Sequence, residues 1–177
     1  MTQISLITEL EKLASSMNSD GEKSVTSLSS VAELIAKSFG VKPEEVAILG
    51  VSTKWKHLHF LVPESLKNVG FSPLSSNPAL AARTVRDKRP EIVNKFAEVR
   101  HASVFEGVKS PDITGEAIQK IVSAPILSGG KVIGVMQISR EAASARSAGL
   151  DFSTEDMGKV VALCTPLGKF LHHFAKE

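Results

Sequence analysis

Two apolar segments joined by a glycine-rich turn constrain the fold of this chain more than any other feature. The first segment covers residues 118–127, the turn is Ser128-Gly129-Gly130, and the second segment covers residues 131–138. Such a turn between two apolar runs is typical of a β-hairpin, because glycine adopts the positive φ that tight hairpin turns require. We therefore predict an antiparallel hairpin, in which Pro125 lies at a bulge or at a position where no backbone donor is needed.

Three other segments carry apolar residues at three- and four-residue steps, the spacing of an amphipathic helix. They are residues 3–17, 24–39 and 157–174, and the last follows a capping sequence at 151–156. Residues 18–21 have turn chemistry between the first two helices. A shorter helix is predicted over residues 78–88, with Pro78 in or near its first turn.

Short apolar runs predict the remaining strands. These runs are residues 46–51, 57–62 and 91–93. Residues 64–78 have the composition of a loop, and residues 98–116 receive no assignment. Together the segments predict an α+β fold with a central antiparallel sheet.

Composition limits the class of protein and names no ligand. The 177 residues carry 21 basic and 19 acidic side chains, a net charge of +2, and one cysteine. No apolar run approaches the ~20 residues that span a bilayer, and the N-terminus lacks the pattern of a secretion signal. We expect a cytoplasmic protein with no disulfide and no metal site. We expect no contact with membranes or nucleic acids either, because no DNA-binding motif is present.

The hairpin and the capping sequence resemble those of a GAF domain. The matching residues are Ser123-Ala124-Pro125-Ile126, Gly129 to Val135, and Asp151-Phe152-Ser153-Thr154-Glu155-Asp156. The resemblance implies N- and C-terminal helices packed on one face of the sheet. It also implies a ligand pocket on the other face, covered by loops and a short helix within residues 64–116. Residues 22–177 would form the GAF-like domain, and residues 1–20 an amphipathic helix available for dimerisation.

The chemistries known in that family can be compared with residues of this chain. Bilin-binding members attach the chromophore to a pocket cysteine, whereas Cys164 lies on the apolar stripe of the last helix, so covalent bilin is not expected. The cyclic-nucleotide signature starts as Asn94-Lys95-Phe96 but continues with Arg100-His101 in place of an Asp-Glu pair. Members that reduce free methionine sulfoxide need a nucleophilic and a resolving cysteine.

Six side chains are candidates for ligand binding. His57 and His59 share one strand face, where they line a pocket or form part of a solvent-facing stripe. Residues 83–101 carry six basic against three acidic side chains. Within that segment, Arg83 and Arg86 bind an anion or lie on a solvated helix face. Ser123 and Gln137 are polar residues of the hairpin that face a pocket or bond to buried water.

Five side chains are candidates for an interface between copies of the chain. Trp55 lies in the turn between two strands, where it anchors a partner or folds over the sheet edge. Ile7, Leu10, Leu167 and Leu171 belong to the terminal apolar stripes. One sheet face must already accommodate the helix over residues 24–39, so it leaves part of the terminal apolar stripes uncovered. This uncovered apolar area predicts a homodimer.

The sequence therefore favours a non-catalytic sensory or regulatory module that binds an unidentified small molecule and dimerises through its terminal helices. Such a module would act on a signalling partner in trans. One alternative is an enzyme related to the free methionine sulfoxide reductases, which the single cysteine disfavours. Another is a protein-interaction module whose pocket is degenerate, and a filled core beside Gln137 would favour it. No cofactor is identified by any motif.

Overall fold

A six-stranded antiparallel sheet organises the computed structural model, which describes residues 3–16, 21–68, 71–98 and 117–171. The helices are α1 (Gln3–Ser16), α2 (Gly21–Phe39), α3 (Leu80–Asp87) and α4 (Thr154–Leu171). The strands are β1 (Val46–Ser52), β2 (His57–Val62), β3 (Ser72–Pro73), β4 (Glu91–Val93), β5 (Ala117–Ser128) and β6 (Lys131–Ala142). Their order across the sheet is β3-β2-β1-β6-β5-β4. The predicted α+β class is correct.

The predicted hairpin forms the centre of this sheet, as β5 and β6. Gly129 and Gly130 have φ values of 57° and 78°, the conformation that a two-residue hairpin turn demands. The register of the hairpin shifts between Ile126 and Leu127, immediately after Pro125. Pro125 itself stays in register with Val135, so the irregularity lies beside the proline and not at it.

Helices α1, α2 and α4 pack together on one side of the sheet, which we call the helix face. Alternate residues of the central strands supply its core, including Ile48, Ala124 and Met136. Leucines 10, 167 and 171 of the terminal helices are buried in the same cluster. Gly168 brings α4 close to the sheet, since a Cβ atom there would clash with the Leu127 carbonyl oxygen.

The opposite side of the sheet, the α3 face, is covered by α3 and its flanking loops. Ala79, Ala81 and Ala82 are fully buried against a cluster that includes Leu49 and Val135. Their small side chains let the helix lie directly on the strands, so this face has its own apolar core. The two-sided arrangement predicted from the sequence is thus confirmed for the described residues.

Several boundaries differ from those predicted. Residues 64–78 contain a 3-10 turn at Glu64–Leu66 and the strand β3, because that segment pairs with β2. Gly21 starts α2 and does not end a turn. The predicted pocket cover at 99–116 and the ends of the terminal helices at 17 and 172–174 lie outside the described residues. Among described residues, no helix has the length and apolar character needed to cross a membrane.

Candidate functional site

The sequence-predicted site residues lie on opposite faces of the sheet. His57 pairs in register with Ser52, and His59 pairs with Gly50, which places both rings on the helix face. Ser123 and Gln137 are also directly opposed, on β5 and β6, but they point to the α3 face. The two histidines therefore do not share a pocket with the two polar hairpin residues.

Ser123 and Gln137 belong to a buried hydrogen-bond chain under α3. The Thr84 hydroxyl donates to the Leu80 carbonyl oxygen at 2.9 Å, so it must accept from the Ser123 hydroxyl, which lies 2.8 Å away. Gln137 Nε2 donates to Ser123 Oγ at 3.3 Å. Because Ser123 and Thr84 bond to each other and are almost fully buried, their hydroxyls join the helix to the sheet.

The two candidate arginines of α3 are occupied by the chain itself. Arg83 makes a bidentate pair with Glu91, with Nε and Nη2 each 2.9 Å from a carboxylate oxygen. Arg86 Nη1 donates to the carbonyl oxygens of Leu74 and Ser76, both at 2.8 Å. These bonds join α3 to the strand and loop beside it, and they engage Nε and Nη2 of Arg83 and Nη1 of Arg86.

An open cavity of about 390 Å³ lies beside the β1–β2 turn. We call it the aromatic groove, and its lining residues are Trp55, Lys56, His57, Phe71 and Pro73. Trp55 is 67% exposed and Phe71 is 68% exposed, unusual values for such large apolar side chains. The groove therefore presents two aromatic surfaces to solvent within one concave site.

Backbone hydrogen bonds hold the two walls of the aromatic groove in place. The Leu74 N–H donates to the Lys56 carbonyl oxygen at 3.0 Å, which ties the loop of Phe71 to the β1–β2 turn. His57 and Pro73 are register partners of the β2–β3 ladder. Within the turn, the Trp55 N–H donates to Ser52 Oγ at 3.2 Å. This bond holds the backbone of Trp55, whose side chain forms the other wall.

His57 forms the floor of the groove between these walls. Its ring meets that of Phe71 edge-on, with centroids 4.2 Å apart. The Nδ1 atom of His57 is buried and makes no hydrogen bond with the described residues. An unsatisfied buried polar atom costs roughly 1–3 kcal/mol.

Glycine at position 50 makes room for the second histidine. A Cβ atom there would lie 3.0 Å from both Cε1 and Nε2 of His59. The His59 ring consequently lies over the backbone of β1, with its centroid 5.8 Å from that of His57.

The charged groups at the groove are cationic. Among the described residues that line it, Lys56 is the single one with a formal charge at neutral pH. The ammonium of Lys54 lies 4.9 Å from the centroid of the Trp55 ring, within cation–π distance. No carboxylate of the described residues lines the groove, so the field from this part of the chain favours an anion.

The candidate interface residues divide into exposed and buried sets. Leu10, Leu167 and Leu171 are buried in the chain's own core, where α1 packs on α4, so they have no surface to offer a second copy. Ile7 is partly buried against the same cluster. Their apolar stripe contacts the other helices and the sheet, which accounts for the surplus apolar area predicted from the sequence. Trp55 remains exposed, in the aromatic groove.

Cys164 lies in the helix-face core. Burial raises the pKa of its thiol from the ordinary value of 9.0 to about 12. A thiol with such a pKa is almost fully protonated at neutral pH and is a poor nucleophile. Within the described ranges, no three His, Cys, Asp or Glu side chains cluster closely enough to hold a metal ion.

Sequence reasoning missed Phe71, which supplies one wall of the groove. The residue stands in a segment that has loop composition, and it meets His57 only through the pairing of β2 with β3. The available signals were a large aromatic residue in a polar segment and a glycine inside strand β1. An isolated strand glycine indicates close approach of another group.

Comparisons with known proteins agree with this architecture. The GAF domain from an Acinetobacter phosphoenolpyruvate-protein phosphotransferase has a TM-score of 0.68 at 16% identity, covering 98% of this chain and 96% of that one. Free methionine-R-sulfoxide reductase from Neisseria meningitidis has a TM-score of 0.66 at 15% identity, covering 97% and 89%. At these identities the likeness extends to the fold alone.

A third similar structure is the GAF domain of the Coxiella burnetii phosphoenolpyruvate-protein phosphotransferase, with a TM-score of 0.65 at 10% identity, covering 97% of this chain and 93% of that one. No curated protein sequence matches the chain. The family model for the GAF domain matches residues 25–169, which is most of the chain. The chain belongs to the GAF domain family.

Proposed function

We propose that this chain is a non-catalytic regulatory module that binds a small molecule in the aromatic groove. GAF domains in general are small-molecule-binding sensory and regulatory modules. The observation that carries the proposal is the concave site between Trp55 and Phe71, whose rings are about two-thirds exposed. A volume of about 390 Å³ lies within the range of roughly 300–1,000 Å³ typical of small-molecule pockets.

The state of the α3 face supports this choice of site. Ser123 is fully buried and Gln137 is 2% exposed, and the hydroxyl of Ser123 already bonds to Thr84 and to Gln137. A ligand at that position would have to separate α3 from the sheet and break these bonds. The groove requires no such change, since its walls are already open.

Dimerisation belongs to the same proposal, through a surface different from the buried leucines. Val161 of α4 is 42% exposed and Leu127 of β5 is 40% exposed. Both line a depression of about 320 Å³ together with Pro125 and Thr165. Exposed apolar side chains that share a concave surface are typical of contact sites between chains. A homodimer through α4 is therefore the assembly we propose.

The interaction-module hypothesis remains the second candidate. The filled core around Gln137 is the observation that favours it, since a packed α3 face is what a degenerate pocket would produce. Under this hypothesis, the aromatic groove would contact a partner protein and would bind no small molecule.

The reductase hypothesis is weaker for a chemical reason. A sulfoxide reductase of this type requires a thiolate that reaches its substrate. Cys164 is buried, with its pKa raised to about 12. We expect no reduction of free methionine-R-sulfoxide with dithiothreitol as reductant. Turnover that disappears in Cys164→Ala would contradict this.

The chain contains one tryptophan, which makes a direct binding assay available. In a 15N-labelled sample, the indole N–H of Trp55 gives a single resonance that needs no further assignment. Two probes, 1-naphthaleneacetate and its neutral amide, are titrated to millimolar concentration. We expect at least one probe to shift this resonance in a saturable manner.

A pair of variants tests whether that shift comes from the groove. Phe71→Ala removes one wall and should weaken binding, whereas Leu150→Ala removes an exposed side chain that lines a different cleft and should leave binding unchanged. If neither probe moves the resonance in the parent chain, or if both variants bind equally, the groove is not the binding site.

A further inference from the structure

The geometry points to a specific ligand class for the groove: a flat aromatic ring that carries an anionic substituent, either a carboxylate or a phosphate. This inference rests on the proposed function, because it assumes that the groove binds a small molecule. It goes further by assigning selection for a planar ring to the aromatic walls, and selection for a negative charge to the lysines beside them.

The walls select for a planar, apolar group. Trp55 and Phe71 offer ring faces and edges, and Pro73 completes an apolar lining. Aromatic rings prefer offset-stacked or edge-to-face contacts with centroids about 4.5–7 Å apart, and such pairs contribute beyond their area. The edge-on contact between Phe71 and His57 already uses this geometry inside the groove. A ligand ring placed between Trp55 and Phe71 would add further aromatic contacts of this kind.

The lysines select for negative charge. Lys56 lines the groove, and Lys54 lies against the tryptophan ring that forms one wall. Neither ammonium makes an ion pair with a described carboxylate, in contrast to Lys67 and Lys120, which pair with Glu64 and Asp151. An anion held near Lys56 and Lys54 would therefore compete with no acidic side chain of the described chain.

The position of the site separates it from the pocket that the family resemblance implies. That pocket lies under loops and a short helix, which here is the α3 face. The groove instead lies at the β1–β2 turn and the short β2–β3 ladder, at the edge of the sheet. His57 and His59 point to this side because their register partners are Ser52 and Gly50. The groove is thus a separate site of the same sheet.

Isothermal titration calorimetry with three probes tests the ligand class. The probes are 1-naphthaleneacetate, 1-naphthyl phosphate and the neutral 1-naphthaleneacetamide, which keep the same ring. At low salt we expect an anionic probe to bind about fivefold more tightly than the amide, as expected for one partly exposed charge contact. This preference should shrink at high salt, since screening weakens exposed charge pairs.

Lysine variants test the origin of the preference. Lys56→Gln and Lys54→Gln should each reduce binding of the anionic probe while leaving amide binding unchanged. Lys54→Gln serves as the second variant because Lys56 has a φ of 53°, a backbone conformation that complicates substitution there. Lys131→Gln, at the exposed end of the hairpin, is the matched control and should have no effect.

The outcomes distinguish failure of the ligand class from failure of the site. Equal affinity for all three probes, or an anion preference that survives in both lysine variants, would overturn the inference while leaving the groove as a binding site. Absence of binding by every probe would overturn the proposed function itself. Tighter binding of the phosphate or of the acetate would identify the anionic group and support the class.

Discussion

Cys164 illustrates how burial of one residue makes stability depend on pH. The folded chain keeps the thiol proton up to a pKa of about 12, whereas the unfolded chain loses it near 9.0. Above about pH 9 the unfolded state therefore binds fewer protons than the folded state, so the free energy of unfolding must fall as pH rises. Below pH 9 both states hold the proton, and this contribution is constant.

We predict that the parent chain loses about 2 kcal/mol more stability than Cys164→Ala between pH 8.5 and 10.5, since the slope approaches 1.4 kcal/mol per pH unit. Urea unfolding of both proteins at the two pH values measures this difference. All other titratable groups are present in both proteins, so their contributions cancel. Parallel loss of stability in the two chains would mean that the thiol is not buried as described.

At the scale of the element, α4 is held against the sheet by close backbone contact. Gly168 faces the Leu127 carbonyl oxygen, and no side chain fits between them. Gly158 lies on a different face of the same helix, where an added Cβ atom would meet nothing within 4 Å. Both glycines therefore lower the intrinsic stability of the helix. Only Gly168 is packed closely against a strand.

We predict opposite effects for alanine at these two positions. Gly158→Ala should stabilise the fold by up to about 1 kcal/mol through helix propensity. Gly168→Ala should destabilise it by roughly 1–3 kcal/mol, because the clash is with backbone and cannot be relieved by a rotamer change. Chemical denaturation of both variants gives the comparison. A stabilising Gly168→Ala would show that α4 does not approach β5 as closely as described.

Local patterns were sufficient to predict most elements of this fold. The hairpin, the amphipathic helices and strand β4 follow from apolar spacing and glycine placement, which act over a few residues. The site was harder to predict, because strand alternation places His57 and His59 together without saying on which face. That face depends on the pairing of β2 with β1, which is a contact between separate segments. Arg83 similarly finds Glu91 only once α3 and β4 are adjacent.

At the scale of the whole molecule, the proposed ligand site and the proposed dimer contact occupy different parts of the sheet. The groove lies at the β2–β3 end, and Leu127 lies on β5, with β1 and β6 between them in the strand order. Ligand binding in the groove does not require the dimer contact to form, and dimerisation does not require a bound ligand. Ligand binding and self-association should therefore respond to different substitutions.

We predict that Val161→Glu shifts the chain from dimer to monomer, since it places a charge at the exposed apolar part of α4. Light scattering after size-exclusion chromatography at high micromolar concentration measures the mass. Glu155→Gln, at the exposed start of the same helix, is the control and should remain dimeric. A monodisperse monomer for the parent chain would refute the proposed assembly.

We propose that ligand recognition takes place in the aromatic groove and not beneath α3. The most direct test is to map amide chemical-shift changes in the parent chain on addition of 1-naphthaleneacetate. We predict that the largest changes fall at Trp55, Lys56 and Phe71, with little change at Thr84 and Ser123. Changes concentrated at Thr84 and Ser123, with the Trp55 signals unmoved, would contradict the account and place recognition on the α3 face.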